Sequence, residues 1–168
     1  MTVIKQKEFI KLVKPHQGIL VKVSKIYMDT LTDQEDLRQE ILFQLWKAYP
    51  SFKGKSQFSS WMYRVAINTA ITFFKQQKKM PFLELLNDKT VSINEAVEEI
   101  KTEQLAHFYG AVRQLNKIEK ALILYSIEGY SQKEIATELG LSEVNTRVKL
   151  KRTKDKLKSI IKTQGYEF

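Results

Sequence analysis

The sequence predicts an all-α chain of two small helical domains joined by a linker. Only six Gly and three Pro occur among 168 residues. Apolar residues recur at spacings of three and four, and alternating, strand-like runs are scarce. A Ser/Thr-x-x-Glu pattern, in which side chain and backbone cap each other at a helix start, opens two of the periodic stretches, at Thr32/Glu35 and Ser131/Glu134.

The first two helices are expected from about Ile4 to Val13 and from about Ile19 to Met28. The stretch from Lys14 to Gly18 separates them, with Pro15 and Gly18 as the breaking residues. A third helix is expected over TDQEDLRQEILFQLWKAY, opened by Thr32 and Glu35. Its Leu37, Ile41, Leu45 and Ala48 line one face, whereas Phe43 and Trp46 lie on the opposite side beside Asp36 and Gln39. Burying such rings is worth roughly 1.5 to 3 kcal/mol each. Either the first helix or the segment after Pro50 covers them, or another protein docks on them.

After Pro50 the chain reads FKGKSQFSSWMYRVAINTAITFFKQQKK. Lys53, Gly54, Lys55 and Ser56 are expected as loop, with Ser59 or Ser60 capping a helix that runs to about Lys75. Gly54-Lys55-Ser56 matches the end of a phosphate-binding P-loop, but that motif requires Gly where Tyr49 stands and is rejected. Four basic residues and no acidic one fall between Arg64 and Lys79. With Phe52, Phe58, Trp61, Tyr63, Phe73 and Phe74 they suit single-stranded nucleic acid, whose bases stack on rings while its phosphates follow the charge. Most of these rings are expected in the core, leaving two or three for bases.

The charge then reverses. From Pro81 to Leu105 six acidic residues face two lysines, a net charge of -4. Residues 81–92 have weak periodicity and read as linker, with helices resuming near Asn94. The expected division is 1–80, an acidic linker over 81–101, and 102–168. Helices from about Gln104 to Gln114 and from Lys117 to Ile127 begin the second domain.

The remainder, YSQKEIATELGLSEVNTRVKLKRTKDKL, reads as a helix-turn-helix. Ser131 and Glu134 cap a helix from about Gln132 to Leu139, Gly140 permits its termination, and Ser142 caps the next helix. Two helices joined by so short a Gly-containing turn form the DNA-binding supersecondary unit. Thr146, Leu150, Thr153 and Leu157 form its inward stripe, while Arg147, Val148, Lys151 and Arg152 project outward. Residues 142–162 hold eight Lys or Arg against Glu143 and Asp155, a net +6. An exposed basic helix in this position is placed to enter a major groove.

Composition agrees. The chain carries 28 basic and 19 acidic residues, a formal charge of +9, which favours a polyanionic partner and nucleic acid in particular. There is no Cys, which excludes disulfides and thiolate metal sites. No apolar run approaches the roughly 20 residues of a membrane span and no signal-peptide core opens the chain, so a cytoplasmic protein without membrane association is expected. His16 and His107 are isolated, and the carboxylates form no metal or acid/base constellation. No cofactor, metal ligand or catalytic residue is assigned, and an enzyme is not the expectation.

Two segments carry a family resemblance. DQEDLRQEILFQLWKAYPSFKGKSQFSSWMYRVAINTAITFFKQQKK resembles region 2 of an RNA polymerase sigma factor of the sigma-70 family, and LNKIEKALILYSIEGYSQKEIATELGLSEVNTRVKLKRTKDKL resembles region 4. Two regions with only a linker between them are similar to the extracytoplasmic-function type. The resemblance implies that Asp36, Gln39, Glu40, Phe43 and Trp46 dock on core RNA polymerase. It implies that Phe52, Gly54, Ser56, Phe58, Trp61 and Asn68 melt and read the minus-10 element as single-stranded DNA. Arg147, Val148, Lys149, Lys151 and Arg152 would read the duplex minus-35 element. Thr146 stands where the family usually has an aliphatic residue, and Val148 where a polar contact residue is common. Core polymerase and promoter DNA are the implied partners, an anti-sigma protein is a candidate third, and a monomer is implied for the free chain. The alternative is a stand-alone helix-turn-helix regulator, whose symmetric dimer would bind a palindrome.

Overall fold

The computed structural model describes residues 3–73 and 102–165, with the side chain of Thr102 not described. All regular structure among the described residues is helical. The chain separates into two compact units, Met1–Val97 and Glu98–Phe168. The acidic linker expected over 81–101, the expected domain end at 80 and the helix expected to resume near Asn94 lie outside the described residues.

The first unit contains α1 (Val3–Val13), α2 (Gln17–Tyr27), α3 (Leu31–Ala48) and α4 (Phe58–Thr72). Helices α2, α3 and α4 pack against one another. Leu20, Val23, Ile26, Leu37, Ile41, Leu45, Met62 and Ile67 fill the space between them. The break after α1 is tighter than the sequence suggested. Lys14–His16 forms one 3-10 turn with Pro15 near its start, where a missing N–H costs nothing, and Gly18 already belongs to α2.

Two expected caps are corrected. Thr30, in extended conformation, caps α3 by accepting the Asp33 amide at 3.1 Å. Thr32 lies inside the helix, where its side chain is past the free amides of the start. Helix α4 begins at Phe58 behind an extended Gln57 that supplies no side-chain cap, so Ser59 and Ser60 sit in its first turn. It ends at Thr72, and Lys75 lies outside the described residues.

The second unit contains α5 (Thr102–Arg113), α6 (Lys117–Ile127), α7 (Gln132–Leu139) and α8 (Glu143–Thr163). Helix α8 packs against all three others, so its apolar stripe organises the unit. Leu150, Leu157 and Ile161 are buried against a core that includes Val112, Leu115, Leu122, Leu124 and Ile135.

Candidate nucleic-acid interface

The helix-turn-helix is built by local bonds. Ser131 Oγ accepts the Glu134 amide at 3.1 Å, and Glu134 Oε2 accepts the Ser131 amide at 2.7 Å. Gly140 ends α7 at φ +66°, ψ +32°, a left-handed conformation that a side chain would strain. The next amide, of Leu141, returns to the Ala136 carbonyl at 2.9 Å and closes the turn. Ser142 Oγ then accepts the Asn145 amide at 3.1 Å, starting α8. Each bond satisfies an amide or carbonyl that the helix ends would leave open.

This start fixes the rotation of α8. Thr146, Leu150, Thr153 and Leu157 are buried, as the spacing requires. The two threonine hydroxyls are satisfied within the helix, Thr146 donating to Ser142 O at 2.9 Å and Thr153 to Lys149 O at 2.7 Å. A buried hydroxyl bonded to its own helix carries no unsatisfied polar group into the core. That is how Thr146 fills an inward position.

Arg147, Val148, Lys149, Lys151 and Arg152 are all exposed, but they do not share one face. Arg147 and Lys151 line a cleft of about 370 Å³ together with Gln132, Lys154 and Lys158. Lys149 and Arg152 instead line a second cleft, of about 650 Å³, beside Asn116, Lys117 of α6 and Leu141 of the turn. At about 100° per residue, Arg152 stands about 40° from Val148 and Lys149 about 100° away, so Lys149 occupies the flank. The sequence reading missed Gln132, Lys154 and Lys158. The signal was present, since 147, 151, 154 and 158 repeat the inward 146, 150, 153, 157 spacing one residue later.

A capping box that the sequence reading missed braces α6. Asn116 Oδ1 accepts the Glu119 amide at 2.9 Å and Glu119 Oε2 accepts the Asn116 amide at 3.0 Å. Glu119 also receives Lys156 of α8 at 3.0 Å. Burial alone pushes its carboxyl upward. The Asn116 amide, the Lys156 ammonium and the more distant Lys149 charge outweigh burial and hold it below its ordinary value.

In the first unit, Asp36, Gln39, Glu40, Phe43 and Trp46 are half-buried along α3. Trp46 meets the buried Phe9 of α1 edge-on at 5.1 Å and stacks with Tyr49 at 6.3 Å. The first helix therefore covers part of this indole. Phe52, Phe58 and Trp61 form a triangle of rings with centroids 5.1 to 5.5 Å apart. Phe58 and Trp61 are buried and Phe52 half-buried, whereas the five residues between Phe52 and Phe58 are all exposed. Gly54 has φ +71° within that loop, and Ser56 is exposed in it. Asn68 lies elsewhere. It lines a cleft of about 380 Å³ between α3 and α4, shared with Glu40 and Gln44. Gln44 Nε2 donates to Glu40 Oε1 at 2.8 Å. Residues assigned to polymerase docking and to minus-10 reading thus meet in one cleft.

Among the described residues no cluster of three His, Asp or Glu could hold a metal ion. No helix among them is long and apolar enough to cross a membrane.

Comparison with known proteins places both units. The family model described as Sigma-70 region 2 matches residues 12–80, and that described as Sigma-70, region 4 matches residues 108–157. The chain is 28% identical over 158 residues to the ECF RNA polymerase sigma factor SigG of Mycobacterium tuberculosis, a match covering 78% of this chain and 42% of that protein. It therefore spans less than half the length of that relative. It is 28% identical over 130 residues to the RNA polymerase sigma factor SigZ of Bacillus subtilis, covering 76% of this chain and 72% of that one. Among solved structures, the sigma factor RpoE in complex with the anti-sigma factor NepR from Bartonella quintana superposes with a TM-score of 0.62 at 22% identity, covering 95% of this chain and 98% of that one. That last likeness is one of fold.

Proposed function

The chain belongs to the sigma-70 family, in its extracytoplasmic-function type, and we propose that it binds core RNA polymerase and directs transcription to promoters bearing its minus-35 and minus-10 elements. The observation that carries this reading is the capped helix-turn-helix with its exposed basic α8, in one chain with a second unit matched as region 2. Helix α8 lies in the major groove of the minus-35 element. Arg147, Lys151 and Arg152 contact phosphates and base edges there, Val148 lies between them, and Lys149 sits on the flank. The outward edge of α3, with Asp36, Gln39, Glu40, Phe43 and Trp46, docks on polymerase. The loop through Gly54 and Ser56, the rings of Phe52, Phe58 and Trp61, and Asn68 read the melted minus-10 strand. Residues 1–80 and 102–168 act as separate domains on these two tasks. An anti-sigma protein is a further proposed partner, as the RpoE–NepR complex suggests by analogy, and the free chain is a cytoplasmic monomer without catalytic activity of its own.

Energetics favour a subunit over a self-sufficient machine. Opening about ten base pairs at roughly 1.4 kcal/mol of stacking per step costs on the order of 14 kcal/mol. Capturing one or two flipped bases involves a few kcal/mol each, which is within the reach of one loop. Polymerase holds the bubble, and this chain selects where it starts.

The test is a pull-down of core polymerase followed by run-off transcription. Binding to core and initiation at defined sites are expected. No binding to core, with a shifted palindromic duplex instead, would hand the function to a stand-alone regulator.

A further inference from the structure

Val144 and Val148 are 64% and 42% exposed on α8. They are the second and sixth residues of that helix. At about 100° per residue they stand about 40° apart, and Val148 lies roughly opposite the buried stripe of Thr146, Leu150, Thr153 and Leu157. Two largely open β-branched residues contribute little packing and slightly disfavour the helix, so folding gives little reason for them. Their neighbours supply one. Arg147 and Lys151 stand exposed on one side of them and Arg152 on the other, suited to the phosphates that border a groove. Recognition helices place their N-terminal residues on base edges. The apolar feature a base pair offers in the major groove is the thymine C5-methyl group. Asp155 shares the same outward line three turns beyond Val144 and lines the cleft of Arg147 and Lys151, where its charge opposes phosphate.

The geometry points to Val144 and Val148 as a thymine-methyl reader within the minus-35 contact. Residues four apart on a helix face have Cβ atoms about 6 Å apart, against about 3.4 Å of rise per base pair. The element this chain recognises therefore carries two thymines one or two base pairs apart. The inference rests on the reading of α8 as the minus-35 reader and adds its base preference.

Polymerase reconstituted with the full chain would first select its element from duplexes randomised across the minus-35 region. That element is then resynthesised with uracil in place of each thymine in turn, which deletes only the methyl group. Two positions are expected at which uracil weakens binding about fourfold. At those positions Val144→Ala or Val148→Ala polymerase should no longer distinguish the two bases. Alanine at either exposed site favours the helix, and the uracil probe needs no variant at all. Equal binding of thymine and uracil at every position overturns the assignment while leaving the reading of α8 intact. Discrimination that survives in both alanine variants also overturns it. If no element is selected, the reading of α8 falls and the assignment falls with it.

Discussion

Lys156 Nζ lies 3.0 Å from Glu119 Oε2, tying the middle of α8 to the first turn of α6. The same oxygen accepts the Asn116 amide at 3.0 Å. One carboxylate thus closes a helix start and braces the helix proposed to read DNA.

That arrangement makes stability depend on pH in a stated direction. A carboxyl held below its ordinary value in the folded state stabilises the fold fully above the unfolded-state pKa, and the contribution is lost as pH falls through the folded one. Glu119→Gln should lower unfolding free energy at neutral pH by about 1 kcal/mol, from the weakened cap and the lost half-exposed ion pair. The difference from wild type should vanish on acidification. Urea unfolding of both proteins across the acid range checks it, and a constant difference at every pH would refute the role of the charge.

Phe43 and Trp46 now separate as probes of polymerase docking. Trp46 packs on buried Phe9, so Trp46→Ala should destabilise the first unit by about 1 to 3 kcal/mol. Phe43→Ala should weaken core binding at least tenfold while changing unfolding free energy by less than about 1 kcal/mol. Core binding by the folded Phe43 variant at wild-type strength would remove that ring from the docking face.

The two basic clefts predict different salt responses. Arg147→Ala and Lys151→Ala should each flatten the dependence of log affinity on log salt by about 0.9 if each side chain neutralises one phosphate. Lys149→Ala, on the flank beside α6, should leave the slope unchanged. Titrations of promoter duplex at several salt concentrations, with polymerase present, separate Lys149 from Arg147 and Lys151.

Thr146 and Leu150 occupy successive positions of one buried stripe but should respond differently. Thr146→Val removes a hydroxyl bonded within its own helix and adds a methyl of similar size, so stability should change by less than about 1 kcal/mol. Leu150→Ala should cost about 2 to 4 kcal/mol, because the cavity it leaves is bounded by α8's packing partners. Thermal or urea unfolding measures both.

The fold and the rotation of α8 were legible because their signals are local. Ser131, Glu134, Gly140 and Ser142 act within a few residues of themselves, and the stripe from Thr146 to Leu157 needs only helical periodicity. Choices between equivalent local patterns were not legible. Thr30-x-x-Asp33 and Thr32-x-x-Glu35 both read as helix starts, and the extended backbone at Thr30 selects the first. Asn116 escapes a pattern restricted to Ser and Thr, although Asn caps equally well. The fate of each ring was beyond sequence too. Which of Phe52, Phe58 and Trp61 is covered depends on contacts across a loop, and whether Trp46 is open depends on Phe9, 37 residues earlier in the chain.

The ring triangle has one more consequence, for how such a chain can change over generations. Phe52 and Phe58 stand at the two ends of the exposed stretch 53–57 and touch each other at 5.5 Å. They fasten the loop without help from what it contains, apart from the backbone requirement at Gly54. Lys53, Lys55, Ser56 and Gln57 can therefore be exchanged with little effect on folding. With the loop reading the minus-10 strand as proposed, new promoter preferences could be explored there one substitution at a time, on a scaffold that stays intact.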